Sequence, residues 1–213
     1  MIHDPPQPDT HEPAITTVAA EPKRRVFRRL TFSGRLADFA WRWSYRLLFR
    51  PSPFSADGWR RMILRMFKAK IAPSAVIHRN VRIIHPWNLT VEDHAVILHG
   101  AILDCQAPVH IGKGACISQL AHLCTATHEY QDRHMPIVGK PIKIGQGCWL
   151  AADVFVGSGV GIGDGAVIGA RASVFRDVQP GMLMVGSPAR KSRRRVPDPQ
   201  SHDHMQPQPG GVT

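Results

Sequence analysis

Between residues 71 and 179 the apolar positions recur every six residues. Fifteen units open with Ile, Leu or Val: Ile71, Ile77, Ile83; Val91, Ile97, Leu103; Ile111, Ile117, Leu123; Ile144, Leu150, Val156; Ile162, Ile168, Val174. Four residues into most units stands a small residue, as at Ala75, Ala95, Ala101, Ala115, Ala121, Ala166 and Ala172. A hexapeptide period is the sequence mark of a parallel β-helix, with the leading aliphatic inward and the small residue at a tight corner. Three units close one triangular coil, so an all-β repeat of about five coils is expected over residues 71–190. Each buried aliphatic contributes roughly 1.5–3 kcal/mol, so stacked coils hold a sufficient core and only the ends need covers.

The beat between coils is uneven. Ile71 to Val91 and Val91 to Ile111 are 20 residues each, Ile111 to Ile144 is 33, and Ile144 to Ile162 is 18. Every insertion falls after the third strand of a coil. The long one, around His128 to Ile142, must leave the coil as an external loop, which stability alone does not demand.

Upstream the period changes. In Gly58–Lys70, Trp59, Met62, Ile63, Met66 and Phe67 recur at helical spacing. That face is expected to cap the open first coil, with Arg60, Arg61, Arg65 and Lys68 outward. Arg35–Arg50 is a second amphipathic stretch, rich in aromatics, ending before Pro51. The expected organisation is therefore a disordered tail over 1–21, a basic amphipathic helical segment over 22–70, the β-helix over 71–190, and a basic then Pro/Gln/His-rich tail over 191–213.

Charge sharpens this picture. The net charge is +11, and fourteen of the 27 Lys and Arg fall between Pro22 and Lys70. Another five, Arg190, Lys191, Arg193, Arg194 and Arg195, follow the last coil. Basic helices carrying Trp, Phe and Leu suit a membrane interface, through residues 35–50, or a partner-facing cap. Nucleic acid is not expected, because no binding motif is present and the charges flank the repeat rather than line it. The polar start shows no signal peptide and no run reaches 18 apolar residues, so a cytoplasmic protein is expected, with peripheral contact at the inner membrane face. Cys105, Cys116, Cys124 and Cys148 form no C-x-x-C pair and read as packed thiols.

The segments Gly114–Tyr130 (GACISQLAHLCTATHEY), Pro141–Ala152 (PIKIGQGCWLAA) and Gly186–Arg190 (GSPAR) resemble the hexapeptide-repeat acyltransferases. Among these the chain is most similar to bacterial exopolysaccharide O-acetyltransferases of the colanic-acid type. The resemblance extends through LLFRPSPF (Leu47–Phe54), WRRMILRMFKAKIA (Trp59–Ala72) and HPWNLTVEDH (His85–His94), covering roughly residues 40 to 195. It implies a left-handed β-helix, a homotrimer with active sites between subunits, acetyl-CoA as donor and a carbohydrate acceptor; with the basic helices at a membrane face, a lipid-linked acceptor would be within reach.

The same resemblance implies roles for particular residues. His128, at the lip of the external loop, matches the general base, and an imidazole is suited to take a proton at neutral pH. Glu129 and Asp104 fall where acceptor contacts are expected. Trp149 matches an aromatic lying along the pantetheine arm. Ala152, Ala170 and Phe175 fall at coenzyme-contacting positions, Phe175 departing from a common small hydroxyl residue. Arg190 and Arg193 match basic residues near the nucleotide phosphates, while Lys191, Arg194 and Arg195 read equally as a generic basic tail. No metal is expected. Two rival readings are a zinc carbonic-anhydrase-like β-helix enzyme, which needs three convergent protein ligands, and a non-catalytic β-helix scaffold. The sequence does not name the sugar or the hydroxyl.

Overall fold

The computed structural model of the chain describes residues 25–26 and 32–195. The calls on the tails over 1–21 and beyond residue 195 lie outside the described residues. The repeat folds as a three-faced parallel solenoid. The first face stacks Lys70–Ile71, Leu89–Val91, Val109–Ile111, Ile142–Ile144 and Gly161–Ile162. The second stacks Val76–Ile77, Val96–Ile97, Cys116–Ile117, Trp149–Leu150, Val167–Ile168 and Met182–Val185. The third stacks Arg82–Ile84, Ile102–Asp104, His122–Cys124, Phe155–Val156 and Ser173–Val174.

The register follows the hexapeptide pattern residue for residue. Ile71, Val91, Ile111, Ile144 and Ile162 are successive Cα partners on the first face. Ile77, Ile97, Ile117, Leu150 and Ile168 do the same on the second. Those five second-face side chains are fully buried, and so are the corner alanines Ala75, Ala95, Ala115, Ala166 and Ala172. Five coils are complete. A sixth is partial: Val178 bridges to Ile162, and Leu183 and Met184 pair with Val167 and Ile168. The solenoid ends with Arg190–Arg194, which pairs antiparallel with Met182–Val185.

At the other end, helix α1 (Phe32–Ser44) runs into a π-helical turn, Tyr45–Phe49, in which the Arg50 N–H donates to the Tyr45 carbonyl at 2.9 Å. Trp41 and Phe49 turn inward and Tyr45 and Phe67 pack around them. The Trp41 indole donates to the Ile83 carbonyl at 2.8 Å, docking α1 on the first coil.

Helix α2 (Asp57–Met66) covers that coil, but not with the expected face. Ile63 and Leu64 are buried, whereas Trp59, Met62 and Met66 stay exposed. Arg60, expected outward, is the residue driven inward: only 2% of it is exposed. Its guanidinium donates to the carbonyls of Ile77, Pro53 and Phe54, to the Ser52 hydroxyl and to the Asp57 carboxylate. Arg61 and Arg65 donate to the carbonyls of Ala75 and Ile71. An open solenoid end presents backbone carbonyls with no coil beyond them, and buried acceptors must be paired. Three arginines meet that need, and the helix rotates its apolar residues aside.

Candidate active site

The 33-residue gap between Ile111 and Ile144 is filled by an arm rather than an irregular loop. Ala126–His128 and Ile137–Gly139 form an antiparallel hairpin, joined by Arg25–Val26 as a third strand on Ile137–Gly139. The root of the arm is tied to the solenoid. The buried Thr125 hydroxyl donates to the Asp104 carbonyl (2.6 Å) and accepts from the Ala107 N–H (3.0 Å). The Ser158 hydroxyl donates to the Thr125 carbonyl (2.6 Å) and accepts from the Lys140 N–H (3.0 Å).

His128 ends the outgoing strand of the arm, exposed to solvent. Its Nδ1 lies 2.7 Å from the Met135 carbonyl oxygen. A carbonyl only accepts, so Nδ1 carries the proton in this contact and Nε2 presents its lone pair outward. Met135 takes a left-handed conformation (φ 40°), and its N–H donates to the Asp132 carbonyl at 2.8 Å. The sharp turn that orients the imidazole is thereby held from within. Beside it, the Glu129 N–H donates to the Pro136 carbonyl at 3.0 Å, closing the same turn.

Asp104 faces outward from the third face, with Ile84 and Cys124 as its neighbours in register. The register therefore stacks it beside Cys124, four residues before His128. Cys124 Sγ lies 3.8 Å from Oδ2, and Oδ1 is buried without a hydrogen-bond partner. His85 and His122 border this carboxylate. Burial pushes both imidazoles below their ordinary pKa; Asp104 pulls each partly back, while Arg42 presses on His85 and Arg82 on His122. The four cysteines are free thiols, each pushed above its ordinary pKa chiefly by burial.

The expected donor residues divide between two grooves. Trp149 stands out from the second face, 48% exposed, with its indole N–H on the Ser118 hydroxyl at 3.0 Å. With Val167, Leu183, Arg193, Arg194 and Arg195 it lines a groove of ≈ 370 Å³. Arg195 reaches the carbonyls of Gly147 and Gly165, so the basic end of the chain is built into this wall. Phe175 and Arg190 line a different groove, ≈ 300 Å³, with Met184 and Pro188. Phe175 packs on Phe155, which in turn meets His122 edge-on. Ala152 and Ala170 stack at the corner between these faces, where the Arg171 N–H donates to the Ala152 carbonyl at 2.9 Å.

Sequence reasoning passed over Ser118, the Met135 carbonyl, Thr125 and Ser158. The first and last two are hydroxyl residues whose partners are 31 to 33 residues away or on the preceding coil, and the carbonyl has no side-chain signature at all. Among the described residues no three His, Cys, Asp or Glu side chains gather as a metal-donor set, so the zinc reading finds no candidate site there.

No family model matches the chain. It is 42% identical over 154 residues to the colanic acid biosynthesis acetyltransferase WcaF of Escherichia coli (strain K12), spanning 72% of this chain and 80% of that protein. Nodulation protein L of Rhizobium meliloti (strain 1021) is 34% identical over 139 residues, 64% of this chain and 75% of the relative. Among solved structures, a hexapeptide-repeat acetyltransferase of Vibrio cholerae complexed with acetyl coenzyme A superposes with a TM-score of 0.71 at 24% identity, covering 80% of this chain and 93% of that one. A galactoside acetyltransferase in complex with coenzyme A gives 0.70 at 21% identity, covering 80% and 86%. These structures establish the fold as a left-handed parallel β-helix.

Proposed function

The chain belongs to the hexapeptide-repeat acetyltransferases, among the colanic acid biosynthesis type, and from that membership we propose that it moves an acetyl group from acetyl-CoA to a sugar hydroxyl in exopolysaccharide biosynthesis, with His128 as general base. The observation that carries the mechanism is the bond between His128 Nδ1 and the Met135 carbonyl. It fixes the tautomer whose Nε2 accepts a proton.

In the proposed step Nε2 takes the hydroxyl proton as the acceptor oxygen attacks the thioester carbonyl carbon. The tetrahedral intermediate collapses by breaking the carbon–sulfur bond. The coenzyme A thiolate leaves and takes the proton from the imidazolium, so the base is restored. Such base catalysis contributes about 10²–10⁴-fold. The unpartnered Oδ1 of Asp104 supports its reading as an acceptor for a sugar hydroxyl, since a buried carboxylate oxygen is costly to leave unpaired. Glu129, adjacent to the base, is the second acceptor contact. Trp149 and Arg193, sharing one groove, fit the pantetheine arm and a phosphate; Ala152 and Ala170 leave the wall thin beside it. Phe175 and Arg190 would meet the donor only from the neighbouring groove.

The resemblance also supports a homotrimer with this site at the subunit junction. Contact with a membrane surface is proposed for α1 and the π-helical turn that follows it, which expose Leu36, Phe39, Trp43 and Leu47 along one side with Arg35, Arg42 and Arg46 beside them. No helix of the described residues is long and apolar enough to cross a membrane. The test of the reaction is acceptor-dependent release of coenzyme A thiol from acetyl-CoA, with the acetyl ester located on the saccharide by NMR. Absence of thiol release across a panel of bacterial saccharides and their lipid-linked forms refutes it.

A further inference from the structure

A third groove, ≈ 530 Å³, runs between α1 with its π-helical turn and the first coil. Arg42, Arg46 and Arg50 enter it from the helix and Arg82 from the third face of the solenoid, against a single carboxylate, Asp38. Asp38 is largely shielded and pairs with Arg42 at 2.8 Å. Among the described residues Arg46, Arg50 and Arg82 have no ion pair. The floor is Trp41, Tyr45 and Ile83.

Capping the coil does not require this arrangement, since α2 supplies its own arginines for that purpose. Gathering four guanidinium groups around one concavity raises the local positive potential. A multivalent oxyanion relieves it, and the planar guanidinium fork matches phosphate oxygens two at a time. The π-helical turn that places Tyr45 and Arg46 in the groove is a rare geometry, frequent at functional sites. Burial pushes the Tyr45 phenol above its ordinary pKa, with Arg50 and Arg82 pulling it partly back, so both guanidiniums stand close to that floor.

The groove ends one rung short of Asp104. Ile84 lines it and is in register with Asp104 one rung along the same face, about 4.8 Å away. His85, next to Ile84, also has a buried ring nitrogen, Nδ1, without a partner. The following rung is Cys124, from which the chain leads through Thr125 into the arm that ends at His128. We propose that this groove holds the phosphoryl groups of the acceptor. The acceptor is then a sugar carried as a phosphate or diphosphate ester, its anionic end on Arg42, Arg46, Arg50 and Arg82 and its saccharide laid along the third face toward His128. This rests on the acetyltransferase reading. Two carriers share the chemistry, a nucleoside diphosphate and a polyprenyl diphosphate.

The test is calorimetric binding of inorganic pyrophosphate to the full chain, its Arg46→Gln/Arg82→Gln variant and its Lys113→Gln/Lys143→Gln variant, which lose equal charge, the two lysines being exposed and outside every groove described above. The expected result is an affinity loss of about tenfold or more in the first variant and less than about twofold in the second. The reverse pattern, or no binding to the parent chain, overturns the proposal. If the double variant does not fold, Arg50→Gln alone, at the exposed end of the turn, carries the same expectation. UDP-glucose and farnesyl diphosphate as further probes separate the carriers. Whichever binds more tightly than pyrophosphate, and loses that advantage in the groove variant, names the source; neither doing so counts against the proposal. Binding is read without turnover, so this failure is distinct from a failure to release thiol from acetyl-CoA.

Discussion

Replacing Arg60 by Met keeps the length of the side chain and removes its charge. In the folded protein this strips the partner from three carbonyls, Ile77 and Pro53 and Phe54, from the Ser52 hydroxyl and from the Asp57 carboxylate. Ser52 is itself buried, and its hydroxyl still donates to the Phe49 carbonyl, so part of the network survives. Asp57 is 29% exposed and regains some hydration. What remains is three carbonyls left without a donor, each costing about 1–3 kcal/mol where it stays buried. Against the roughly 5–15 kcal/mol that hold a typical domain, this is a severe lesion. The assay is urea unfolding followed by tryptophan fluorescence, comparing midpoint and slope with the parent. Arg60→Lys retains charge but offers one ammonium in place of a fork, and falls between the two. A loss below about 1 kcal/mol for Arg60→Met, the range of an ordinary surface change, refutes the capping argument.

Trp149→Ala is expected to weaken coenzyme A binding about tenfold by calorimetry, with little change in unfolding midpoint because the indole is half exposed; unaltered binding removes Trp149 from the donor wall. Burial lowers the pKa of His78, His85 and His122 in the folded state, so the unfolded chain binds protons first. Stability is then full above about pH 6.5 and falls as the pH drops through that ordinary value toward the depressed ones. Asp104 and Arg82, which face His122 with opposite effects, set its share. His122→Gln should flatten the acid limb of a stability–pH curve, and an unchanged slope contradicts the assignment. Leu36→Glu with Trp43→Glu should abolish cosedimentation with phosphatidylglycerol vesicles; retained sedimentation means that α1 is not the contact.

The hexapeptide beat carried most of the fold because its signal is the core itself: each leading aliphatic is inward and in register with the next. The cap was harder. Helical periodicity treats a cation as a surface residue, whereas the inward turn of Arg60 depends on carbonyls contributed by Ser52–Phe54's loop and by Ile77 on the first coil. The arm that carries the proposed base was legible as a long gap, but its internal contacts were not. The Met135 carbonyl that orients His128 leaves no trace in residue identity, and the pairing of Arg25–Val26 with Ile137–Gly139 spans more than a hundred residues. Counting along the resemblance placed Arg190 and Arg193 together near the phosphates. They occupy one strand on either side of a register shift between Leu183 and Met184, so Arg190 lines one groove with Lys191 and Arg193 lines the other with Arg194.

The central claim is that a positioned imidazole on the arm accepts the acceptor's proton. The most direct measurement is the turnover of His128→Ala with acetyl-CoA and a saccharide acceptor, alongside coenzyme A affinity of the same sample. The account predicts that kcat falls about 10²–10⁴-fold while that affinity stays within about twofold. Turnover near the parental rate contradicts it.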